Sequence, residues 1–148
     1  MVIAFFVEEM NLRGVANSIY LYSKYNETIL KNKSIIFYNK INDRHHKDVI
    51  KKFKKKFKVI GINGFSEIDR YSDDLKIKYI YTQTGGEKTN EVSEKIKTFV
   101  HFVYPQKISE IHGYKYVCVS NWLNKQFFNN KLSELPYIVE LHKSKKNL

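Results

Sequence analysis

The residues of this sequence that could do chemistry stand directly after its apolar runs. Glu8 and Glu9 follow the run Val2–Val7, and the polar loop that they open ends at Arg13 and Gly14. A carboxylate can act as a general base, but neighbours on an extended chain point to opposite sides, so at most one glutamate faces a given cleft. With a single glycine, this ligand loop lacks the Gly-x-Gly-x-x-Gly fingerprint of dinucleotide-binding proteins.

A second candidate ligand loop, Gln83–Gly86, follows the apolar run Ile77–Thr82. The backbone amides of a glycine pair at the end of a strand can face a phosphate or a carboxylate. Thr84, Gly85 and Gly86 are therefore predicted to contact a substrate. A glycine pair is also ordinary turn chemistry, and that alternative stays open.

His101 lies within or at the end of the apolar run Thr98–Val103. It is a candidate site residue, and a hydrogen-bonded core histidine is the alternative. The other histidines lack the spacing of a zinc ligand set, so we predict no metal site. No serine, histidine and acid follow the order and nucleophile elbow of a hydrolase triad.

The composition is that of one globular domain, with 148 residues of which 43% are hydrophobic. Cys118 is the single cysteine and lies between two valines, which predicts a core position in a protein from a reducing compartment. No charged leader precedes a long apolar run, and no run approaches the length that spans a membrane. We therefore expect a cytoplasmic protein.

The net charge of +11 has two explanations. Its basic residues are nearly all lysine, and lysine with abundant Asn, Ile, Tyr and Phe is what an AT-rich genome encodes. The alternative is a functional surface on the lysine-rich helix Lys47–Lys58, which could bind phosphate or anionic lipid at the periphery of a membrane. Nucleic acid is disfavoured because arginine is scarce and most aromatic residues fall in predicted strands and inward helix faces.

Seven short apolar runs alternate with helical patterns, which is typical of βαβ units. Runs that are apolar throughout indicate strands buried on both faces, as in a parallel sheet. Strands are predicted at Val2–Val7, Lys33–Tyr38, Val59–Ile62, Ile77–Thr82, Thr98–Val103, Tyr114–Val119 and Leu135–Leu141. Helices are predicted after Gly14 and at Lys47–Lys58, Ser66–Leu75, Glu87–Lys97 and Asn121–Asn129, the last capped by Ser120 with Trp122, Leu123, Gln126 and Phe127 facing inward.

These elements predict a single Rossmann-like α/β domain over residues 1–141, with a basic flexible tail at 142–148. Its mostly parallel sheet of six to seven strands is covered by helices on both faces. Right-handed crossovers put the first strand at the centre, the second and third on one side and the later strands on the other. Ligands bind where the strand order reverses, between the first and fourth strands, and this would gather Glu8–Gly14, Gln83–Gly86 and His101 at one edge.

The order of these pieces resembles the amino-terminal half of a GT-B glycosyltransferase of the family-4-like group. AFFVEE leading into LRGVANSIYLYS is similar to that group's opening strand, acceptor loop and first helix, although the group's opening has two glycines and only Gly14 is present here. KTFVHFVYPQ is similar to its strand that ends in a histidine. YVCVSNWLNKQFF followed by LPYIVEL is similar to its Val-Ser-x-x-Leu step and to the strand that ends the first domain.

The resemblance covers nearly the whole chain and implies transfer of a sugar from a nucleotide-sugar to a hydroxyl acceptor. It implies that Arg13 and Gly14 lie in the acceptor-side loop, next to the donor phosphates. His101 would lie at the cleft floor near the transferred sugar, and Ser120 and Asn121 would begin the helix that lines the cleft.

Glu9, with His101, is the catalytic candidate of this interpretation. An inverting reaction needs a base for the acceptor hydroxyl, whereas a retaining one depends on support of the leaving phosphate, and both stay open. The family's carboxyl-terminal domain, which holds most donor contacts, has no counterpart in these residues. We expect an acceptor-side half that needs a partner chain or a homo-oligomer, or a truncated remnant, with no cofactor beyond the donor. The alternative is a non-enzymatic basic module that binds nucleic acid or another polyanion.

Overall fold

The computed structural model describes residues 1–84, 89–105 and 113–141. Seven parallel strands form one sheet, which makes the protein a single Rossmann-like α/β domain, as predicted. The strands are β1 Val2–Val7, β2 Lys33–Asn39, β3 Lys58–Ile62, β4 Ile77–Thr84, β5 Lys97–Phe102, β6 Lys115–Cys118 and β7 Ser133–Glu134. The helices are α1 Gly14–Thr28, α2 Lys47–Lys56 and α3 Asn121–Phe128, with a 3₁₀ helix at Phe65–Tyr71.

The strand order is β3-β2-β1-β4-β5-β6-β7, which confirms the predicted topology. Phe5 in the central strand pairs with Ile36 of β2 on one side and with Tyr81 of β4 on the other. Because every pair is parallel, the carboxyl ends of all seven strands meet at one edge. The order reverses between β1 and β4, and parallel α/β sheets bind their ligands at that point of the carboxyl edge.

The two faces of the sheet are covered by different elements. Along β1, Ala4 and Phe6 pack on the 3₁₀ helix, where the ring of Phe65 meets that of Phe6 edge-on at 5.0 Å. The alternate residues Phe5 and Val7 pack against α1 and α2. We call these the 3₁₀ face and the α1 face. The side chains of α3 pack on Phe102 and Cys118, which belong to the 3₁₀ face by strand alternation.

Helix α2 is attached to the domain by one narrow apolar stripe. Val49 and Phe53 are buried, and Phe53 meets the ring of Tyr20 edge-on at 5.2 Å. Six of its ten residues are lysines, which repel one another along the exposed side. Packing of Phe53 and Phe57 against the domain therefore stabilises a helix that would not be stable in isolation.

Two predicted helices differ from the structure because local hydrogen bonds outcompete the helical pattern. In place of Glu87–Lys97, the described residues 89–96 form an irregular loop in which Ser93 Oγ accepts from the amides of Lys95 and Ile96, at 3.0 and 2.7 Å. The predicted Ser66–Leu75 is the shorter 3₁₀ helix, which begins after Gly64 rather than at a Ser66 cap.

Two further boundaries and the inward face of α3 were predicted wrongly. Gln83 and Thr84 extend β4 instead of forming a loop, because they continue the ladder with His101 and Phe102 of β5. The predicted strand Leu135–Leu141 is an extended segment, and β7 is the two residues before it. In α3, Leu123, Asn124 and Phe128 face inward, while Trp122, Gln126 and Phe127, which were predicted to do so, are exposed, Trp122 by 64%. Within the described ranges, no helix combines the length and apolar character needed to cross a bilayer.

Candidate functional site

A cleft of about 350 Å³ opens at the carboxyl edge beside the β1–β4 junction, on the 3₁₀ face. Its walls are the end of β1, the start of the 3₁₀ helix and the segment 89–91. Two carboxyl groups, Glu8 and Glu91, line it from opposite walls. The floor is apolar and includes Phe6 and Phe65. A pair of carboxyls above an apolar floor is a suitable environment for proton transfer.

The pKa of Glu91 is raised to about 7. Burial beside the sheet is the largest cause, and the negative charge of Glu8 raises it further. Thr82 opposes the shift, because its hydroxyl donates to Glu91 Oε2 at 2.7 Å and favours the carboxylate. A carboxyl that titrates near neutral pH can both accept and release a proton under ordinary conditions.

Glu8 is held by two amide donors, one from the last residue of β2 and one from the loop that follows it. Its Oε1 accepts from Asn39 Nδ2 at 2.9 Å and from Asn42 Nδ2 at 3.3 Å. These bonds fix the carboxylate toward the cleft and compensate its partial burial. The cleft thus pairs a carboxylate fixed by amides with a second carboxyl whose burial favours the protonated form.

The loop that carries Glu91 is tied to the 3₁₀ helix by one hydrogen bond. Ser93 Oγ donates to Asp69 Oδ1. The amide of Ser93 also donates to Thr98 Oγ1 at 3.1 Å, which joins the loop to β5. These bonds position Glu91 without a helix.

The structure brings Glu8 to this cleft, while Glu9 is engaged elsewhere. Glu9 forms an ion pair with Arg44 and accepts from Asn11 Nδ2 at 2.7 Å. Glu8 continues the alternation of Ala4 and Phe6, which explains why it faces the 3₁₀ side.

The remaining predicted contacts are spread along the same edge. Arg13 and Gly14 form the exposed start of α1, and a Cβ placed on Gly14 would meet no atom within 4 Å, so no close approach requires that glycine. Thr84 is buried at the end of β4. Ser120 Oγ accepts from the amide of Leu123 at 3.2 Å and caps α3, which begins at the exposed Asn121. Gly85 and Gly86 lie outside the described residues.

His101 lies on the α1 face and is fully buried. Its Nδ1 is 2.6 Å from the hydroxyl of Tyr81, which accepts from Gln83 Nε2 at 2.8 Å. The same Gln83 amide donates to Ser18 Oγ at 2.9 Å. Burial lowers the pKa of His101 to about 4, and the backbone of Leu135 offsets part of this shift. The imidazole is therefore neutral at pH 7, and in its Nε2–H tautomer the Nδ1 atom accepts from Tyr81.

Sequence reasoning missed Glu91 and the amide donors of Glu8. Glu91 fell inside a predicted helix, and no motif marks it. For Glu8, the choice over Glu9 depends on which face of β1 lines the cleft, and β1 is apolar on both faces. Only the position of the 3₁₀ helix decides it.

Fold and site together define a Rossmann-like α/β domain with an acidic cleft at its topological switch point. Comparison with known proteins adds no closer assignment: no family model, curated protein or solved structure matches this chain at a significant level.

Proposed function

We propose that this domain is the acceptor-side half of a GT-B-type glycosyltransferase and that the Glu8–Glu91 cleft binds the acceptor hydroxyl. The observation that carries the proposal is the pair of carboxyls at the β1–β4 junction, one of which has a pKa of about 7. A base with such a pKa removes a hydroxyl proton efficiently near neutral pH. Glu8 would orient the hydroxyl, and Glu91 would take its proton.

In the proposed reaction the acceptor oxygen forms a bond to the anomeric carbon of a nucleotide-sugar. The bond from that carbon to the donor phosphate breaks, the nucleoside diphosphate leaves with the electron pair, and Glu91 holds the acceptor proton. Arg13, at the exposed start of α1, is available for the leaving phosphate. His101 touches no substrate in this scheme. With Tyr81 and Gln83 it links β4 and β5 to Ser18 of α1 on the opposite face of the sheet.

Exposed apolar residues along the carboxyl edge support a second half that packs there. Leu12, Ile41 and Tyr104 follow β1, β2 and β5, and they are exposed by 78%, 65% and 59%. Trp122, after β6, adds a fourth. Large apolar side chains at one edge are typical of a surface that another domain covers. The donor-binding half would pack on this edge, whether on this polypeptide or on another.

The test is a titration of the isotope-labelled domain with nucleotide-sugars and with mono- and disaccharide acceptors, followed by amide chemical shifts. We expect acceptors to shift the amides of residues 8, 82 and 91, and Glu8→Gln to weaken their binding about tenfold or more, because it removes a charged acceptor. Glu94→Gln, an exposed carboxylate on the same loop, is the matched control and should change nothing. Shifts that map only to α2 would contradict the proposal.

A second candidate function is polyanion binding by α2. A shallow groove on its outer side is bounded by Lys47, Lys51, Lys54 and Lys55, none of which has a carboxylate partner in the part of the chain that the structure describes. Binding of heparin or of a short oligonucleotide should then weaken steeply between 50 and 200 mM salt, on the order of tenfold or more for a few contacts. The double variant Lys51→Glu/Lys55→Glu should abolish it, whereas Lys125→Glu/Lys131→Glu should leave it unchanged.

A further inference from the structure

A second cavity lies on the α1 face, away from the acidic cleft. It has a volume of about 560 Å³, within the range of about 300–1,000 Å³ that is usual for ligand pockets. Its floor is formed by Tyr79, Phe99 and Val117 of three adjacent strands. One wall is the second half of α1, and the other is the extended segment that follows β7, which includes Leu135 and Ile138. We call this cavity the apolar groove.

The groove exists because no helix in the described residues covers the whole of β4, β5 and β6 on this face. Helix α1 touches β4 and β5 through Ser18, which bonds to Gln83, and through Tyr22, which meets the rings of Tyr81 and His101. Helix α3 packs on the opposite face. The extended segment covers the gap only partly. It is anchored to α1 where Tyr22 donates to the carbonyl of Pro136 at 2.7 Å and Lys24 pairs with Glu140 at 2.6 Å. The floor residues therefore remain partly exposed to solvent.

The polar side chains of the α1 wall are already hydrogen-bonded within the protein. The hydroxyls of Tyr22 and Tyr25 donate to the extended segment, Tyr25 to Glu140 at 2.8 Å. Asn26 donates to Ser34 Oγ at 2.9 Å and accepts from Asn32 at 3.0 Å. An occupant would gain mainly by removing apolar surface from water, at roughly 25 cal/mol per Å². This chemistry suits a hydrocarbon chain and not a sugar or a nucleotide.

Positive charge lies on the same face of the sheet as the floor of the groove. Lys97 and Lys115 pair in register with the floor residues Tyr79 and Phe99, so they belong to the same face of the sheet. Both are exposed, and neither has a carboxylate partner in the described ranges. At the α1 side of the rim, Ile29 and Leu30 line the groove and are 66% and 65% exposed. The ammonium of Lys97 lies over the ring of Tyr114 at 4.5 Å. Apolar rim residues and exposed lysines on one face complement an amphiphile with an anionic head.

We propose that the apolar groove binds a single acyl chain whose anionic head lies against Lys97 and Lys115. The chain enters between Ile29, Leu30 and the floor strands, and the head stays at the surface. A free fatty acid and an anionic membrane lipid both offer this chemistry. The groove lies toward the amino ends of the strands, so an acyl chain there leaves the acidic cleft open, and this site is independent of the proposed sugar transfer.

The test uses an 11-carbon fatty acid that carries a dansyl group, titrated into the full chain. We expect its fluorescence to rise and shift to the blue on binding, and oleate to displace it. Val117→Trp fills the floor and should abolish binding. Ile29→Asp/Leu30→Asp, at exposed positions that tolerate polar residues, should weaken binding at least tenfold. Unchanged affinity in both variants, with native circular dichroism, would overturn the proposal.

The contribution of the two lysines is tested by Lys97→Glu/Lys115→Glu, which should weaken binding at least tenfold. Lys125→Glu/Lys131→Glu, the same change of charge on and after α3, should leave it unaltered. Sedimentation with vesicles of phosphatidylcholine, with and without phosphatidylglycerol, distinguishes a membrane lipid from a free fatty acid. If the wild type cosediments with the vesicles and Val117→Trp does not, the ligand is a membrane lipid. If the protein binds the fatty acid but does not cosediment, the ligand is a free acid. Vesicle binding that ignores Val117→Trp, with no fatty-acid binding, would contradict the acyl site and leave the sugar-transfer proposal untouched.

Discussion

Glu91→Gln is expected to stabilise the protein at pH 8 and to leave its stability unchanged at pH 4. The folded pKa of Glu91 is about 7 and its ordinary value is 4.5, so the folded state binds the proton more tightly than the unfolded chain. Wild-type stability therefore falls as pH rises from 4.5 to 7, by about 3 kcal/mol from this group. Glutamine has no proton to lose and still accepts from Thr82. Urea unfolding of both proteins at several pH values measures the difference.

Two variants separate this effect from a general gain in stability. Glu94→Gln changes an exposed carboxylate on the same loop, and we expect less than about 0.5 kcal/mol at any pH. Glu8→Gln removes the charge that raises the pKa of Glu91, so carbon-detected titration should find that pKa lower than in the wild type. An equal gain at pH 4 and pH 8 in Glu91→Gln would show that packing, and not the proton, is responsible.

The stabilising change should also remove the proposed function. If Glu91 takes the acceptor proton, Glu91→Gln should lower transfer by about 10²–10⁴-fold once the donor-binding half is supplied. A side chain that costs stability at neutral pH and serves chemistry is common in active sites. The burial of the Glu91 carboxyl would then serve the proposed catalysis and not the stability of the fold.

The fold could be predicted because its strands repeat one strong pattern. Runs such as VIAFFV in β1 and KSIIFY in β2 are apolar on both faces, and in a chain that alternates strands with helices a helix-covered parallel sheet buries both faces. Chain order and crossover handedness then fix the sheet order. The same property hid the site, since a strand that is apolar on both faces does not show whether Glu8 or Glu9 lines a cleft.

The elements that position the site carry weaker signals. The conformation of the loop 89–96 depends on the side chain of Ser93, which bonds to two nearby amides and to Asp69. Helical periodicity in the sequence does not reveal such side-chain hydrogen bonds. In α3, helical periodicity predicted that Trp122 and Phe127 belong to the core. In the structure both are exposed, and their rings meet edge-on at 5.8 Å. The hydrophobic pattern identifies apolar residues, but it does not show whether they are buried within their own domain or remain exposed.

His101→Phe is expected to destabilise the protein at pH 7 and not at pH 4. Phenylalanine fills the space but leaves the Tyr81 hydroxyl without its acceptor, which costs about 1–3 kcal/mol. In the wild type, the folded pKa is about 4 and the ordinary value is 6.5, so the unfolded chain binds the proton more tightly. Stability that is present above pH 6.5 is lost as pH falls toward 4, by about 3 kcal/mol. The variant lacks this loss, so the two stabilities should converge or cross near pH 4.

Tyr81→Phe is the matched control, because it breaks the same hydrogen bond and keeps the imidazole. We expect it to be less stable than the wild type at both pH values, since His101 stays buried and still has to take up a proton in acid. Glu91, on the other face of the sheet, makes the free energy of unfolding change with pH in the opposite direction, so each variant is compared with the wild type at the same pH. The effects of Glu91→Gln and His101→Phe on that free energy should add in the double variant. Parallel acid curves for His101→Phe and Tyr81→Phe would mean that the imidazole does not control the acid response. Separate curves would identify the buried Ser18–Gln83–Tyr81–His101 chain as the element that holds β4, β5 and α1 together only while the histidine is neutral.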